Sequence, residues 1–224
     1  LADPVFREDV CAGAVLVLLD VTEKERGEQM RREFTANVSH ELKTPLTSIS
    51  GMAEIMKDGL VRPEDITGFA ADIYKESQRL IHLVEDIIHL SRLDEGGADL
   101  QKGEVALLEL SRTVGDRLRP MAEQKEVTVE VTGEEQTILG ISSMVEEMIY
   151  NLLDNAIKYN RPGGKAVVTV SGEKDWALVS VRDTGIGIPE EDRNRVFERF
   201  YRVDQSHSKE IGGTGLGLSI VKHA

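Results

Sequence analysis

The sequence holds one cysteine, Cys11, among 224 residues. That excludes an internal disulfide and any metal site built on several thiolates, and it fits a reducing, cytoplasmic setting. Aromatic residues make up 4%, so the core has to be aliphatic. Positive charge is short: Lys+Arg number 27 against 40 Asp+Glu, a formal net charge of −13. No Lys/Arg-rich run compensates, and a nucleic-acid surface, which works through clustered cations, is not expected. Long apolar runs are also missing. Residues 10–19 form the longest, too short for a bilayer, and their Val and Leu around Gly13 suit a buried strand. No signal segment opens the chain at Leu1, and it looks like a piece cut from something longer. Membrane contact is therefore expected only through segments outside it. Two phosphate signatures are absent too. Without G-x-x-x-x-G-K-[ST] this is no P-loop enzyme, and without H-R-D or D-F-G it is no Ser/Thr/Tyr kinase.

What is present, 40% hydrophobic and 30% charged residues, is the composition of a soluble globular protein of one to two domains. Three regions separate by pattern. Residues 1–22 resemble a strand closing on Asp20-Val21-Thr22. Residues 23–97 carry two long helical patterns. Between them Gly59 suits a helix C-cap and Pro63 the first turn of the next helix, and so short a link predicts an antiparallel hairpin. Glu95-Gly96-Gly97-Ala98-Asp99 marks a boundary, and residues 98–224 alternate strand-like and helix-like segments. In the second helix Ile66, Ile73, Leu80 and Ile87 recur every seven residues, and Ile81, Val84 and Ile88 widen the stripe. One partner helix cannot cover that surface. A dimer forming a four-helix bundle would; packing on the C-terminal domain is the alternative.

On the first helix Phe34, Val38, Leu42, Leu46, Ile49 and Met56 share an arc about 120° wide. His40 lies opposite, so its imidazole is expected to face solvent, with Thr44 one turn on along nearly the same face. Pro45 removes the hydrogen bond to the Glu41 carbonyl and predicts a bend just after the histidine. Most exposed helical histidines are inert, and His82, His89, His207 and His223 are taken so.

Further on, Ser143-Met144-Val145-Glu146 has the form of a capping box. Asn151 and Asn155 share one helix face, with Lys158 near them. Amide oxygens suit a hard cation such as Mg²⁺, and a lysine can answer phosphate charge, although exposed asparagines are as often simply solvated. Asp183 follows a strand and precedes Gly185 and Gly187; a carboxylate there can accept from an exocyclic amine while the glycines admit a flat base. Residues 197–202, with Phe197 and Phe200, describe an amphipathic surface helix on pattern alone. Gly213, Thr214, Gly215, Leu216 and Gly217 then lead into a helix whose first amides suit phosphate.

These strings add up to a resemblance. Residues 34–46 match the H-box F-x-x-x-x-S-H-E-L-[KR]-T-P-L at each position, and residues 151–159 resemble the N-box. Residues 183–189, 197–202 and 212–218 resemble the G1, F and G2 boxes of the same proteins, the sensor histidine kinases of two-component systems. In detail the chain resembles their phosphate-regulon-type, PhoR-like subclass. The resemblance implies a multidomain protein: a PAS-like sensor remnant over 1–22 and an α-helical hairpin forming a dimeric four-helix bundle over 23–97. An α/β-sandwich ATP-binding domain of the Bergerat (GHKL) type would follow over 98–224, its C-terminus truncated. It implies ATP and Mg²⁺ as cofactors, a homodimer, and a response regulator receiver domain as partner. His40 would take the phosphoryl group, Glu41 would assist, and Thr44 would position water in a phosphatase reaction on the phospho-regulator. The nucleotide would be held by Asn151, Asn155, Lys158, Tyr159, Asp183, Gly185, Gly187, Gly213, Thr214, Gly215, Leu216 and Gly217, with Asn155 on the metal. Residues 190–213 would be the lid, and 95–99 a hinge. Related hydrolases carry a water-activating glutamate where this chain has Asn151, so transfer to a protein nucleophile suits it better than hydrolysis.

Overall fold

The computed structural model describes residues 2–7, 10–16, 20–94, 101–203 and 213–223. The chain falls into two compact units, 1–44 and 45–224. In the first, the single expected strand is two: β1 (Ala2–Arg7) pairs antiparallel with β2 (Val10–Leu16), with a register shift at Val5/Phe6. The apolar residues of β2 need a partner for their backbone groups, and β1 supplies it. Helix α1 (Thr22–Lys57) then begins where the Asp20 carboxylate accepts from the Thr22 amide at 2.9 Å. Hydrogen bonds from Thr22 hold the Asp20 carboxyl below the usual carboxylate range.

The second unit takes in the end of α1, which stops in a Schellman turn. Gly59, at φ +70, donates its N–H to the Met56 carbonyl, and Leu60 donates to Ile55. Pro63 departs from expectation: it sits in a turn closed by Asp65 N–H on the Arg62 carbonyl, and helix α2 (Ile66–Asp94) starts only after it. Along α2, Leu83 and Leu90 are buried while Ile81, Val84 and Ile88 are exposed. The heptad stripe is thus divided into a covered and an uncovered face.

Strand β3 (Gly103–Ala106) and helix α3 (Leu107–Gln124) lead into β4 (Thr128–Gly133) and β5 (Thr137–Gly140). Helix α4 (Ser142–Lys158), strands β6 (Lys165–Glu173) and β7 (Trp176–Asp183), and helix α5 (Gly217–His223) complete the order. Two short 3₁₀ turns, Glu190–Asp192 and Arg195–Phe197, lie between β7 and α5. β4 and β6 run parallel, β6 and β7 antiparallel, and β3 pairs separately with β5. The core lies between the three-stranded sheet and α3 and α4. It is built from Val114, Leu118, Leu153, Ile157, Ala166 and Val168, each at most 3% exposed, aliphatic throughout. No helix among the described residues is long and apolar enough to cross a membrane.

Two further local expectations fail. Ser143 caps nothing, because α4 starts one residue earlier: Met144 and Val145 already donate to the Ile141 carbonyl, placing Ser143 inside the first turn. Residues 197–202 are no surface helix either. The backbone passes from the 3₁₀ turn into irregular structure with Phe200 at φ +64, where the Phe200 amide donates to the Gly215 carbonyl at 2.8 Å. That long-range bond outweighs the amphipathic pattern.

Candidate nucleotide and phosphoacceptor sites

The two groups of residues marked by the sequence belong to different units. In the first, His40 is exposed on α1, and the Thr44 hydroxyl, one turn on and also exposed, donates to the His40 carbonyl at 3.2 Å. Glu41 is half-buried beside it. Pro45 offers no N–H to the Glu41 carbonyl, yet α1 runs through it without interruption to Lys57.

In the second unit the marked residues gather around α4. Asn151 and Asn155 are half-buried on the helix margin. The segment after β7 is tied to the end of α4: Ile186 N–H donates to the Tyr159 carbonyl at 3.1 Å. A Cβ built on Gly185 would lie 2.3 Å from that same oxygen, so only glycine fits. One Asp183 oxygen accepts from the Gly185 amide at 2.8 Å, which orients the exposed carboxylate and leaves its second oxygen for another donor. The glycine-rich segment also reaches α4 and its end. A Cβ on Gly217 would meet Asn151 Oδ1 at 2.7 Å, and one on Gly213 the Tyr159 hydroxyl at 3.3 Å. Asp183, Gly185, Asn151, Tyr159, Gly213 and Gly217 are thereby brought together. Gly187 stands apart, with nothing within 4 Å of its Cβ direction. Leu216 is buried and belongs to the packing; its carbonyl accepts the Ile220 amide.

Lys158 is not an unattached cation. Its ammonium lies 2.7 Å from Asp154 Oδ2, and its own carbonyl accepts from Lys125 Nζ at 2.9 Å. Thr214 is likewise engaged: its hydroxyl donates to Asp86 of α2 at 2.6 Å and takes the Leu216 amide at 3.3 Å. A second link joins α2 to α4, where His89 Nδ1–H donates to the Glu147 carboxylate. His89 is therefore not the inert surface residue that its spacing implied. Burial pushes the Asp86 carboxyl up and Glu147 adds to the rise, against the Thr214 hydrogen bond and the charges of His89 and His82. Burial, then the Asp154 charge, likewise raises the half-buried Tyr150 phenol, whose ring carries the Arg117 guanidinium at 4.6 Å.

Sequence reasoning passed over three residues. Asn160 is a hub: its Nδ2 donates to the Ala156 and Lys165 carbonyls, and its Oδ1 accepts from Arg161 N–H and the Thr184 hydroxyl. Thr184 in turn receives the Lys165 amide, so this network fixes the segment just after Asp183. Its one signal was an Asn directly after a helix end. Asp154 was legible as an i, i+4 partner of Lys158. Asp86 carried no signal. In the 190–203 stretch the Tyr201 hydroxyl donates to Asp192 and Arg195 lies 4.2 Å over its ring, a local clasp on the described part of the expected lid. Residues 204–212, and the expected hinge at 95–99, lie outside the described residues.

As for a cation, no cluster of three or more His, Cys, Asp or Glu side chains is gathered for one among the described residues. Half-buried Asn151 and Asn155 carry neutral amide oxygens, a donor type that fits Mg²⁺, which keeps most of its waters and binds phosphate oxygens.

Comparison with known proteins decides the family. Residues 30–96 match the model of the His Kinase A (phospho-acceptor) domain, and residues 140–224 that of the histidine kinase-, DNA gyrase B-, and HSP90-like ATPase. The chain belongs to the sensor histidine kinases. Sensor histidine kinase WalK of Bacillus subtilis is 36% identical to it, over 94% of this chain and 35% of WalK. Sensor-like histidine kinase SenX3 of Mycolicibacterium smegmatis is 38% identical, over 94% of this chain and 55% of SenX3. Full-length ShkA, solved in complex with AMPPNP, superposes with a TM-score of 0.60 at 29% identity, over 88% of this chain and 40% of that one. This histidine kinase chain thus spans about a third to about half the length of the curated relatives it matches.

Proposed function

We propose that this chain autophosphorylates His40 from ATP and passes the phosphoryl group to an aspartate of a response regulator receiver domain. The observation that carries the reading is the convergence on α4: the Asp183–Gly187 and Gly213–Gly217 segments both close on its Asn151–Tyr159 face. These contacts bring the Asp183 segment and the glycine-rich segment to the Asn151 and Tyr159 positions, which supports one nucleotide site there. Asp183's second oxygen accepts from the adenine amino group, the glycines admit the base and phosphates at backbone distance, and Lys158 meets the phosphate charge. Asn155 would hold Mg²⁺, which when bound supplies neutralisation of the triphosphate. The exposed His40 imidazole is the nucleophile: Nε2 forms a bond to the γ-phosphorus, the β–γ bridging P–O bond breaks, and ADP leaves with the electron pair. Glu41 accepts the Nδ1 proton. Thr44 positions water in the reverse task, hydrolysis of the phospho-regulator, once its hydroxyl turns from the His40 carbonyl. The uncovered Ile81, Val84 and Ile88 face supports a homodimer through a four-helix bundle.

Incubation with γ-labelled ATP tests this. Acid-labile protein label is expected, abolished by His40→Gln with nucleotide binding retained, while Asp183→Asn weakens ATP binding. Steady phosphate release without label would make the chain a hydrolase. Label retained in His40→Gln would move the acceptor, and unchanged affinity in Asp183→Asn would remove the adenine role.

A further inference from the structure

Helix α4 carries a carboxylate that the reading above does not use. Asp154 sits between the two asparagines of the site and is 7% exposed. Its Oδ2 lies 2.7 Å from Lys158 Nζ, while its Oδ1 is buried with no hydrogen-bond partner. An i, i+4 pair that served helix stability alone would do so on the exposed face. Burying one gains little, since desolvating both ions offsets their attraction, and an unsatisfied carboxylate oxygen makes the account worse. The pair therefore calls for a reason other than stability.

We propose that Asp154 is the positioning residue for Lys158, holding its ammonium ready for the nucleotide's phosphates; the inference rests on Lys158 being the phosphate-binding cation. Both ends of the lysine are held. Lys125 fixes its backbone carbonyl, Asp154 fixes its ammonium, and one N–H of three is committed, leaving two for an anion. A four-carbon stem left loose has to be ordered when the anion arrives. Ordering it beforehand raises phosphate affinity by about three- to tenfold. Because the acidic partner is buried and cannot follow the ligand, the lysine is steadied without being carried away from the site.

The test is a set of binding titrations with ATP, ADP and adenosine on the full chain. Asp154→Asn, which keeps the shape and drops the charge, is expected to weaken ATP and ADP by about three- to tenfold and to leave adenosine unchanged. Equal loss for adenosine would mean a merely structural role and overturn the proposal, as would unchanged ATP affinity. Lys158→Gln should lose phosphate affinity as well; if it does not, the reading of Lys158 falls and the inference with it. If Lys158→Gln loses affinity while Asp154→Asn does not, the Asp154 role alone falls. Should Asp154→Asn fold poorly, the double variant Asp154→Asn/Lys158→Gln removes both charges of the pair and must bind ATP as Lys158→Gln does. A further loss in the double variant would overturn the coupling.

Discussion

Gly187 and Gly215 share one backbone conformation, φ +75, in two segments that reach the nucleotide site, but their surroundings differ. Around Gly187 nothing lies within 4 Å of where a Cβ would point; at Gly215 that atom would be 2.9 Å from the Phe200 Cα and carbonyl carbon. Replacing each by alanine separates strain from overlap. A left-handed conformation costs an L-residue about 1–2 kcal/mol. The narrower unfolded ensemble of alanine returns about 0.4–1 kcal/mol, so Gly187→Ala should lose about 0–1.6 kcal/mol. Gly215→Ala bears that loss and an overlap with main chain that no side-chain rotation relieves, about 1–3 kcal/mol more. The Phe200 backbone cannot retreat without lengthening its 2.8 Å bond to the Gly215 carbonyl. Urea unfolding of both variants, with m-values compared to establish that the transition is the same, measures the difference. Equal losses would refute the reasoning, since they would mean that residues 213–217 do not rest on the Phe200 backbone.

Asp86 predicts a pH dependence. Burial raises its carboxyl above the reference 3.8, so the unfolded chain releases this proton first as pH climbs. Its contribution to stability is therefore present below 3.8 and lost as pH rises through the raised folded value. Asp86→Asn should flatten that decline in urea midpoints taken from pH 3 upward, at about those intervals where the wild type falls; a constant difference between the two proteins would contradict the assigned cause. Asn160→Ala deletes four hydrogen bonds around the segment after Asp183. It should cost about 1–3 kcal/mol and weaken nucleotide binding, measured by thermal melting and ATP titration, and wild-type values in both would show that the hub is dispensable.

Much of the molecule was legible in local sequence. The helix-ending Gly59 works through its own φ and two carbonyls of the turn before it, and the aliphatic stripe of α2 follows from helical spacing alone. The H-box on α1 and the glycine strings could be matched because each is a short contiguous pattern whose chemistry is carried by neighbours in the chain. Residue order also excluded a thiolate cluster and a P-loop motif. Tertiary structure decided what depends on distant partners. Ser143 lost its cap to a helix that begins one residue earlier, and residues 197–202 gave up a helix for a bond to Gly215. Asp86 and Thr214 stand 128 residues apart, and His89 and Glu147 stand 58 apart; no periodicity links either pair. Whether a carboxylate is buried, and which donor it then meets, is a property of the assembled elements. Desolvation and long-range hydrogen bonds act only once α2, α4 and the glycine-rich segment have come together.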